Sequence, residues 1–257
     1  MTFNEAVLEL IKRYNRNKKV IGIVLTGSAG RGDYDKYSDI DCVVFVKNKN
    51  IFLKEGKIPF FEFVLDIRKS CLSHIKKSIW SNDMYYAYLK GNIIYDSKNL
   101  IDPLFRKKRR EWLNQIKKRL SLSLVNLSVI FSFEDNWKGL CTTTHLEKYK
   151  RRKDYLSAQR LITKAFEQSM EIIFLLNKEP FPDDKNKISK ICYLKWKPKN
   201  YKFLYKEGLK ISSHSLKNIE QRYNFLKILV NEIKNQTDLT FKLSKNLYKF
   251  YLKNRDN

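Results

Sequence analysis

The first hundred residues combine one helical repeat with several short apolar runs. Apolar residues from Ala6 to Ile11 recur at the spacing of one helical face, which predicts a helix at residues 4–14. Runs rich in β-branched residues predict buried strands at 20–25, 40–46 and 60–67, a polar loop at 47–57 and a short extended segment at 93–95. This order of elements predicts a compact mixed sheet with helices packed against it.

Beyond about residue 100 the strand pattern stops and a helical repeat replaces it. Helical segments are predicted at 102–136, 146–177, 186–196, 215–235 and 239–253. Pro180 and Pro182 end the second of these, because proline lacks a backbone donor and restricts the residue before it. We therefore expect an α+β protein, with a mixed β-sheet and flanking helices at 1–100 and an all-α helical-bundle domain at 101–257.

Membrane and secretory classes are disfavoured by the apolar pattern. No run reaches the ~18 consecutive apolar residues of a membrane span. The N-terminal segment lacks the basic start, unbroken apolar stretch and cleavage site of a signal peptide. The cysteines are scattered singly, without a CxxC pair, as is typical of reduced thiols. We expect a cytoplasmic protein with no membrane partner.

The formal net charge of +25 at pH 7 has two interpretations. Clustered Lys and Arg favour a polyanionic partner such as RNA, because phosphate binding releases counterions. An AT-rich genome produces the same bias, since lysine greatly outnumbers arginine, asparagine is abundant and alanine is scarce. Under either interpretation, the charge attracts anionic substrates and repels polycationic ones.

A small-residue turn and an acid pair separate the first two predicted strands, in the stretch VLTGSAGRGDYDKYSDIDCVVFV. The glycines let the backbone approach a bound group, and the segment that follows Ser28 can present N–H groups to phosphate oxygens. Ten residues separate Ser28 from Asp39. Asp39 and Asp41 alternate by two, so both carboxylates project from one face of an extended strand. Two carboxylates on one face suit Mg²⁺, which prefers oxygen ligands.

Together, Gly27-Ser28 and Asp39-Ile40-Asp41 resemble the signature of the DNA polymerase β-type nucleotidyltransferase superfamily. That signature is Gly-Ser, about ten residues, and then an acid pair that opens a strand. The match covers residues 20–67, and the surrounding order of elements extends it to about 1–100. The resemblance implies a nucleotidyltransferase fold and an activity of the EC 2.7.7 type. In this reaction a nucleoside monophosphate passes from an NTP to an acceptor hydroxyl, and pyrophosphate is released.

The resemblance also implies roles for single residues. The Gly27-Ser28 turn would hold the β- and γ-phosphates of the NTP, with ATP as the expected nucleotide. Asp39 and Asp41 would bind Mg²⁺, with two ions expected. Arg31 is a candidate phosphate contact or a solvated loop charge. Ser38 is a candidate nucleotide contact or a turn residue at the entry of the strand.

A third acid is needed to complete a two-metal site. Glu62 and Asp66 are four residues apart in the third predicted strand, so their side chains face the same way. In the superfamily, the third acid usually lies near the start of a strand with apolar residues after it. This favours Glu62 as the third metal ligand and catalytic residue, with Asp66 as the alternative. Either carboxylate would accept the proton of the acceptor hydroxyl.

The helical half resembles that of antibiotic-modifying nucleotidyltransferases, by architecture alone. This implies a small-molecule acceptor such as an antibiotic, and hence a role in antibiotic resistance. The positive charge favours a neutral, weakly basic or anionic acceptor. Glu167 and Glu171, one helical turn apart, are candidates for contact with the acceptor or for a base, and an exposed helix edge is the alternative.

Besides a small-molecule acceptor, a second and a third hypothesis stay open. The same chemistry could act on an RNA end or a protein, as in toxin–antitoxin or phage-defence systems. Basic clusters with nearby aromatics fit an RNA surface or plain solvated helix faces, at 106–110, 117–119 and 148–153. The third hypothesis is a non-catalytic nucleotide-binding module, and the intact acid pair argues against it.

Overall fold

The chain divides into two compact units in its computed structural model. The structure describes residues 1–48, 51, 53–128, 145–182 and 187–236. The first unit is Met1–Asn114, and the second begins at Gln115. This division falls inside a helix, later than the expected boundary at residue 100, which stays a prediction for the functional domains. No helix among the described residues is long and apolar enough to cross a membrane.

Within the described residues, the first unit contains one five-stranded mixed sheet. Its strands are β1 (Val20–Leu25), β2 (Ile40–Val46), β3 (Gly56–Phe60), β4 (Phe63–Cys71) and β5 (Asn92–Asp96). Their spatial order is β3-β4-β2-β1-β5, with β2 parallel to β4 and the other neighbours antiparallel. The α+β fold class expected from the sequence is confirmed.

Helices flank this sheet along the chain. They are α1 (Phe3–Asn15), α2 (Gly27–Arg31), α3 (Leu72–Lys77), α4 (Asn82–Leu89) and α5 (Ile101–Ser128). α1 begins at Phe3 because Thr2 and Glu5 form a capping box, in which each side chain bonds the backbone N–H of the other residue. Ala6 and Leu10, on the apolar face predicted from the sequence, are fully buried.

The single strand predicted at 60–67 is instead a hairpin. β3 ends at Phe60, and β4 begins at Phe63, its register partner. The turn consists of Phe61 and Glu62, and Phe61 has a φ of 56°, which is uncommon for a bulky side chain outside tight turns. β3 itself begins inside the predicted polar loop. The sequence pattern missed its start because an exposed edge strand has fewer apolar residues than a buried strand.

The two faces of the sheet have different partners. The even-numbered residues of Ile40–Val46 belong to one core cluster with residues of α1 such as Leu10. Successive side chains of a strand point to opposite faces, so Asp41 and Phe45 face away from α1. On that second face Phe45 contacts the ring of Tyr88 in α4, at a centroid distance of 5.8 Å. The acid pair of the sequence motif therefore opens onto the face opposite α1.

The described part of the second unit is helical. Its helices are the end of α5, α6 (His145–Arg151), α7 (Tyr155–Leu176), α8 (Lys187–Ile191), α9 (Tyr201–Leu209) and α10 (Leu216–Gln236). α9 was not predicted, although Tyr201, Leu204, Tyr205 and Gly208 are buried at helical spacing. The predicted helix at 239–253 and the end of the one at 102–136 lie outside the described residues.

A buried cation holds the second unit together. Arg222 of α10 is fully buried, and burial lowers its pKa to about 10, so it stays charged at neutral pH. Its guanidinium donates to the carbonyl of Gly208 at 2.6 Å, to the carbonyl of Gln159 at 3.2 Å and to the hydroxyl of Thr163 at 2.7 Å. These bonds connect α10 to α7 and to the end of α9.

Candidate active site

The small-residue turn lies directly against the first acid pair. Gly27 has a φ of 58°, and a Cβ at this position would lie 2.0 Å from Oδ2 of Asp41. Only glycine combines this conformation with this close approach. The backbone N–H of Thr26 donates to the carbonyl of Asp41 at 2.9 Å, which fixes the end of β1 beside the start of β2.

The turn continues at once into α2. Thr26 occupies the N-cap position, but its side chain makes no capping hydrogen bond. The first N–H groups of a helix have no acceptor within the helix, so those of Gly27 and Ser28 point out of its end. Gly30 packs α2 onto β1, since a Cβ there would lie 2.2 Å from the carbonyl oxygen of Leu25. Outward N–H groups of this kind suit an anionic ligand.

A second acid lies beside Asp41 on the neighbouring strand. Asp66 of β4 is the register partner of Asp41 in the parallel pair of β2 and β4. Residues in register project to the same face, so both carboxylates lie on the face opposite α1. Burial, followed by the nearby charge of Asp66, raises the pKa of Asp41 above its ordinary value. A cation bound between the two carboxylates would relieve this repulsion.

The third carboxylate of this group is Asp39, which precedes β2. Lys57 of β3 donates a hydrogen bond from Nζ to Oδ2 of Asp39 at 2.5 Å. Lys57 is also the register partner of Asp66, so Lys57, Asp66 and Asp41 form a row across three neighbouring strands. The bond to Asp39 is the main reason why the pKa of Lys57 is raised. The ammonium thus contacts Asp39 directly, and the charges of Asp66 and Asp41 also act on it.

Glu62 lies elsewhere, in the turn between β3 and β4. It is four residues before Asp66, or roughly 13 Å at the rise of an extended strand. Its carboxylate accepts a hydrogen bond from the amino group of Met1 at 2.8 Å, and this bond lowers the pKa of Glu62. Its side chain is 62% exposed. Of the two candidate third acids, Asp66 is the one that the structure brings beside Asp41.

Arg31 and Ser38 are both held by nearby acids in the segment between α2 and β2. The guanidinium of Arg31 pairs with Oδ1 of Asp33 at 3.2 Å and lies over the ring of Tyr86 at 5.4 Å. The hydroxyl of Ser38 donates to the Asp35 carboxylate at 3.0 Å and accepts from the backbone N–H of Asp35 at 3.0 Å. Ser38 therefore shapes the turn that leads into Asp39, and Arg31 is oriented at the end of α2.

The acids fit a magnesium site in their chemistry. Within the described ranges, no three His, Cys, Asp or Glu side chains are arranged so that together they could hold a metal ion as they stand. Asp39, Asp41 and Asp66 supply the oxygen ligands that Mg²⁺ prefers. Burial and then the charge of Asp66 raise the pKa of Asp41, and Asp39 already binds a cationic group, the ammonium of Lys57. These three acids are thus suited to hold a divalent cation.

The two candidate acids of the helical half have different surroundings. Glu171 accepts hydrogen bonds from Gln168 at 2.9 Å and from Lys187 at 3.3 Å, while Glu167 is exposed. In the basic run at 106–110, which belongs to the first unit, Lys108 is buried and donates to the carbonyl of Ser78 at 2.9 Å. Burial removes Lys108 from the surface, while the other four basic residues of this run are exposed.

Comparison with known protein families identifies a domain in the first part of the chain. Residues 7–101 match the family model of the nucleotidyltransferase domain. The matched range contains every strand of the sheet described above and the residues Gly27, Asp41 and Asp66. Residues 7–101 therefore form a nucleotidyltransferase domain, which supports transfer of a nucleoside monophosphate in general, and the resemblance of this part of the sequence to nucleotidyltransferases is confirmed.

Over nearly the whole chain, the similarity to a solved structure is low. A nucleotidyltransferase-like protein from Exiguobacterium sibiricum 255-15, known from its crystal structure, is 12% identical to this chain. Its TM-score is 0.45, and the alignment covers 98% of this chain and 91% of that chain. No curated protein matches the sequence.

Proposed function

We propose that this protein is a Mg²⁺-dependent nucleotidyltransferase that transfers AMP from ATP to a hydroxyl group of a small molecule and releases pyrophosphate. The main support is that Asp41 and Asp66 are in register on neighbouring strands of the nucleotidyltransferase domain, and that the Gly27-Ser28 turn lies against Asp41. A phosphate-binding turn and a pair of metal-binding acids at the same edge of a sheet support phosphoryl chemistry, and not nucleotide binding alone.

Each group has a distinct role in this proposal. The N–H groups at the start of α2 bind the terminal phosphates of the NTP. Asp39, Asp41 and Asp66 hold Mg²⁺, which when bound lowers the pKa of the attacking hydroxyl and stabilises the leaving pyrophosphate. Asp66 is also the carboxylate that orients the acceptor hydroxyl and accepts its proton. Because the backbone of Gly27 lies directly against Asp41, the turn would bring bound phosphates close to this acid.

A small acceptor is favoured over RNA by the environment of the basic clusters. Trp112, which lies close to the run at 106–110, is fully buried against Tyr85 and is not available to stack on a base. In the cluster at 148–153, Lys150 pairs with Glu147 at 3.0 Å. The net charge of +25 favours neutral or anionic acceptors, so an antibiotic-like acceptor would be neutral or weakly basic, and not polycationic.

The test is a labelling experiment. The protein is incubated with Mg²⁺ and each of the four NTPs labelled at the α-phosphate, alone and with pools of small molecules, tRNA or cell protein. Asp41→Asn serves as the inactive control, and Glu62→Gln as the matched control, in which an exposed acid in the turn between β3 and β4 is neutralised. We expect label from ATP to appear in a small molecule, with one pyrophosphate released for each transfer.

Each other outcome decides against part of the proposal. Label found only in tRNA or protein would replace the small-molecule acceptor with a macromolecule. Label from another nucleotide would correct the choice of ATP. If NTP binds but no pool is labelled and no pyrophosphate forms, the protein is a nucleotide-binding module and the enzymatic proposal fails.

A further inference from the structure

The ammonium of Lys57 lies against Asp39, one of the three acids proposed to hold Mg²⁺. It donates to Asp39 Oδ2 at 2.5 Å, and the charges of Asp66 and Asp41 act on it as well. These are the same three acids that suit Mg²⁺. Arg68, two residues beyond Asp66 on β4, adds a second positive charge that acts on Asp41.

Lys57 is also placed so that it can leave. It lies on β3, the edge strand of the sheet, and its side chain is 63% exposed, against 31% for Asp39. Lysine is a single charge on a flexible four-carbon chain, so it can turn towards solvent without any change in the backbone. Its bond to Asp39 is a partly exposed ion pair, and such pairs contribute little free energy in solution, so the bond is easily broken.

A divalent cation and this ammonium exclude each other on Asp39. The oxygen that accepts from Lys57 is one that a metal ion would use, and two positive groups a few ångströms apart repel each other. We propose that Lys57 is an internal counter-ion which holds the place of the metal among Asp39, Asp41 and Asp66 and must leave Asp39 before the metal binds. This inference rests on the proposed function, because it assumes that these acids are the metal site.

Two consequences follow for the metal-free protein. Lys57 compensates the acids while the site holds no metal, so they keep their positions in register. Lys57 also weakens the binding of a metal ion that arrives without nucleotide. Neutralising Lys57 should therefore tighten metal binding, which is the opposite of the effect expected of a residue that helps to bind the metal or the nucleotide.

The test measures Mn²⁺ binding to the full chain without nucleotide, by the electron paramagnetic resonance signal of free Mn²⁺. The variants are Lys57→Met and Lys57→Gln, which remove the charge, and Lys57→Arg, which keeps it. Lys54→Met is the matched control, since it removes an equal charge from an exposed lysine three residues earlier. Circular dichroism confirms that each variant is folded, and the rise in unfolding temperature on adding Mn²⁺ gives a second readout.

We expect Lys57→Met and Lys57→Gln to bind Mn²⁺ about three- to tenfold more tightly than the unmodified protein. Their unfolding temperature should also rise more when Mn²⁺ is added, while Lys57→Arg and Lys54→Met behave like the unmodified protein. Unchanged or weaker Mn²⁺ binding in both neutral variants would overturn the inference. An equal gain in Lys54→Met would also overturn it, because the effect would then come from net charge alone.

Asp41→Asn separates this inference from the proposed function. If Asp41→Asn binds Mn²⁺ as well as the unmodified protein, the metal lies elsewhere and the assignment of the metal site fails. If Asp41→Asn loses Mn²⁺ binding while the neutral Lys57 variants gain nothing, the metal site stands and the role of Lys57 alone is refuted.

Discussion

Asp41 and Asp66 are register partners on the parallel strands β2 and β4, although 24 residues separate them in the sequence. A parallel pair cannot be closed by a tight turn, so the chain must leave the sheet and return before the second strand begins. Here it returns through the antiparallel edge strand β3 and its hairpin with β4. The third acid of the site is therefore positioned by the hairpin and not by its distance from the first two acids.

The two acids should be far more sensitive to substitution than the acid in the hairpin turn. Asp41→Asn and Asp66→Asn each remove a carboxylate that we propose as a metal ligand, and Asp66→Asn also removes the proposed proton acceptor. We expect each to lower the rate of pyrophosphate release at least about 100-fold. Asp66→Asn tests the choice of third acid most directly.

Glu62→Gln is the control for this experiment. It removes a charge of the same kind from the same hairpin, where the carboxylate pairs with the amino group of Met1. Its activity should stay within about twofold of the unmodified protein, since exposed ion pairs contribute little. A large loss in Glu62→Gln together with an active Asp66→Asn would reverse the assignment.

Gly27→Ala should abolish transfer for a steric reason. The new Cβ would lie 2.0 Å from Oδ2 of Asp41, so either the turn or the carboxylate must move. Gly32→Ala is the matched control, because Gly32 also has a positive φ, of 75°, yet a Cβ there meets nothing within 4 Å. Both variants should lose about 1–2 kcal/mol of unfolding free energy from backbone strain, as measured with urea. Only Gly27→Ala should lose activity, and equal losses in both would contradict the close approach.

Arg31 should affect nucleotide affinity if it contacts phosphate. We expect Arg31→Gln to raise KM for the NTP about tenfold with a smaller change in kcat, because one charge-assisted hydrogen bond is lost. Asp33→Asn should raise KM less, since Asp33 orients Arg31 through the contact at 3.2 Å. Steady-state kinetics at varied NTP concentration give KM and kcat for both variants and for the unmodified protein. An unchanged KM in Arg31→Gln would leave Arg31 as a loop charge held by its neighbours.

Arg222 should matter for stability and not for chemistry. Arg222→Met leaves the buried carbonyls of Gly208 and Gln159 without this donor, so the free energy of unfolding should fall by about 2–4 kcal/mol. Arg160→Met, at an exposed position of α7, should change it by less than about 0.5 kcal/mol. Urea denaturation gives the free energy of unfolding of the two variants and of the unmodified protein. Equal stabilities would show that the buried cation is dispensable.

Much of the fold followed from local patterns. The apolar runs at 20–25 and 40–46 were recognised as β1 and β2 because buried strands have few polar residues. The repeat at 4–14 was recognised as α1, and the change to a helical period after residue 100 marked the helical half. The hairpin was missed because Phe60, Phe61 and Phe63 make β3, its turn and β4 look like one apolar run.

The sequence by itself determined the type of chemistry. Gly27-Ser28 and Asp39-Ile40-Asp41 lie close together along the chain, so the period of a strand suffices to place both carboxylates on one face. Only the tertiary structure decided which further groups join them. Whether Glu62 or Asp66 faces Asp41 depends on the register between β2 and β4, and a turn of two residues separates the two candidates. The position of Lys57 at Asp39 likewise depends on the pairing of β3 with β4, which is a long-range contact that no local spacing encodes.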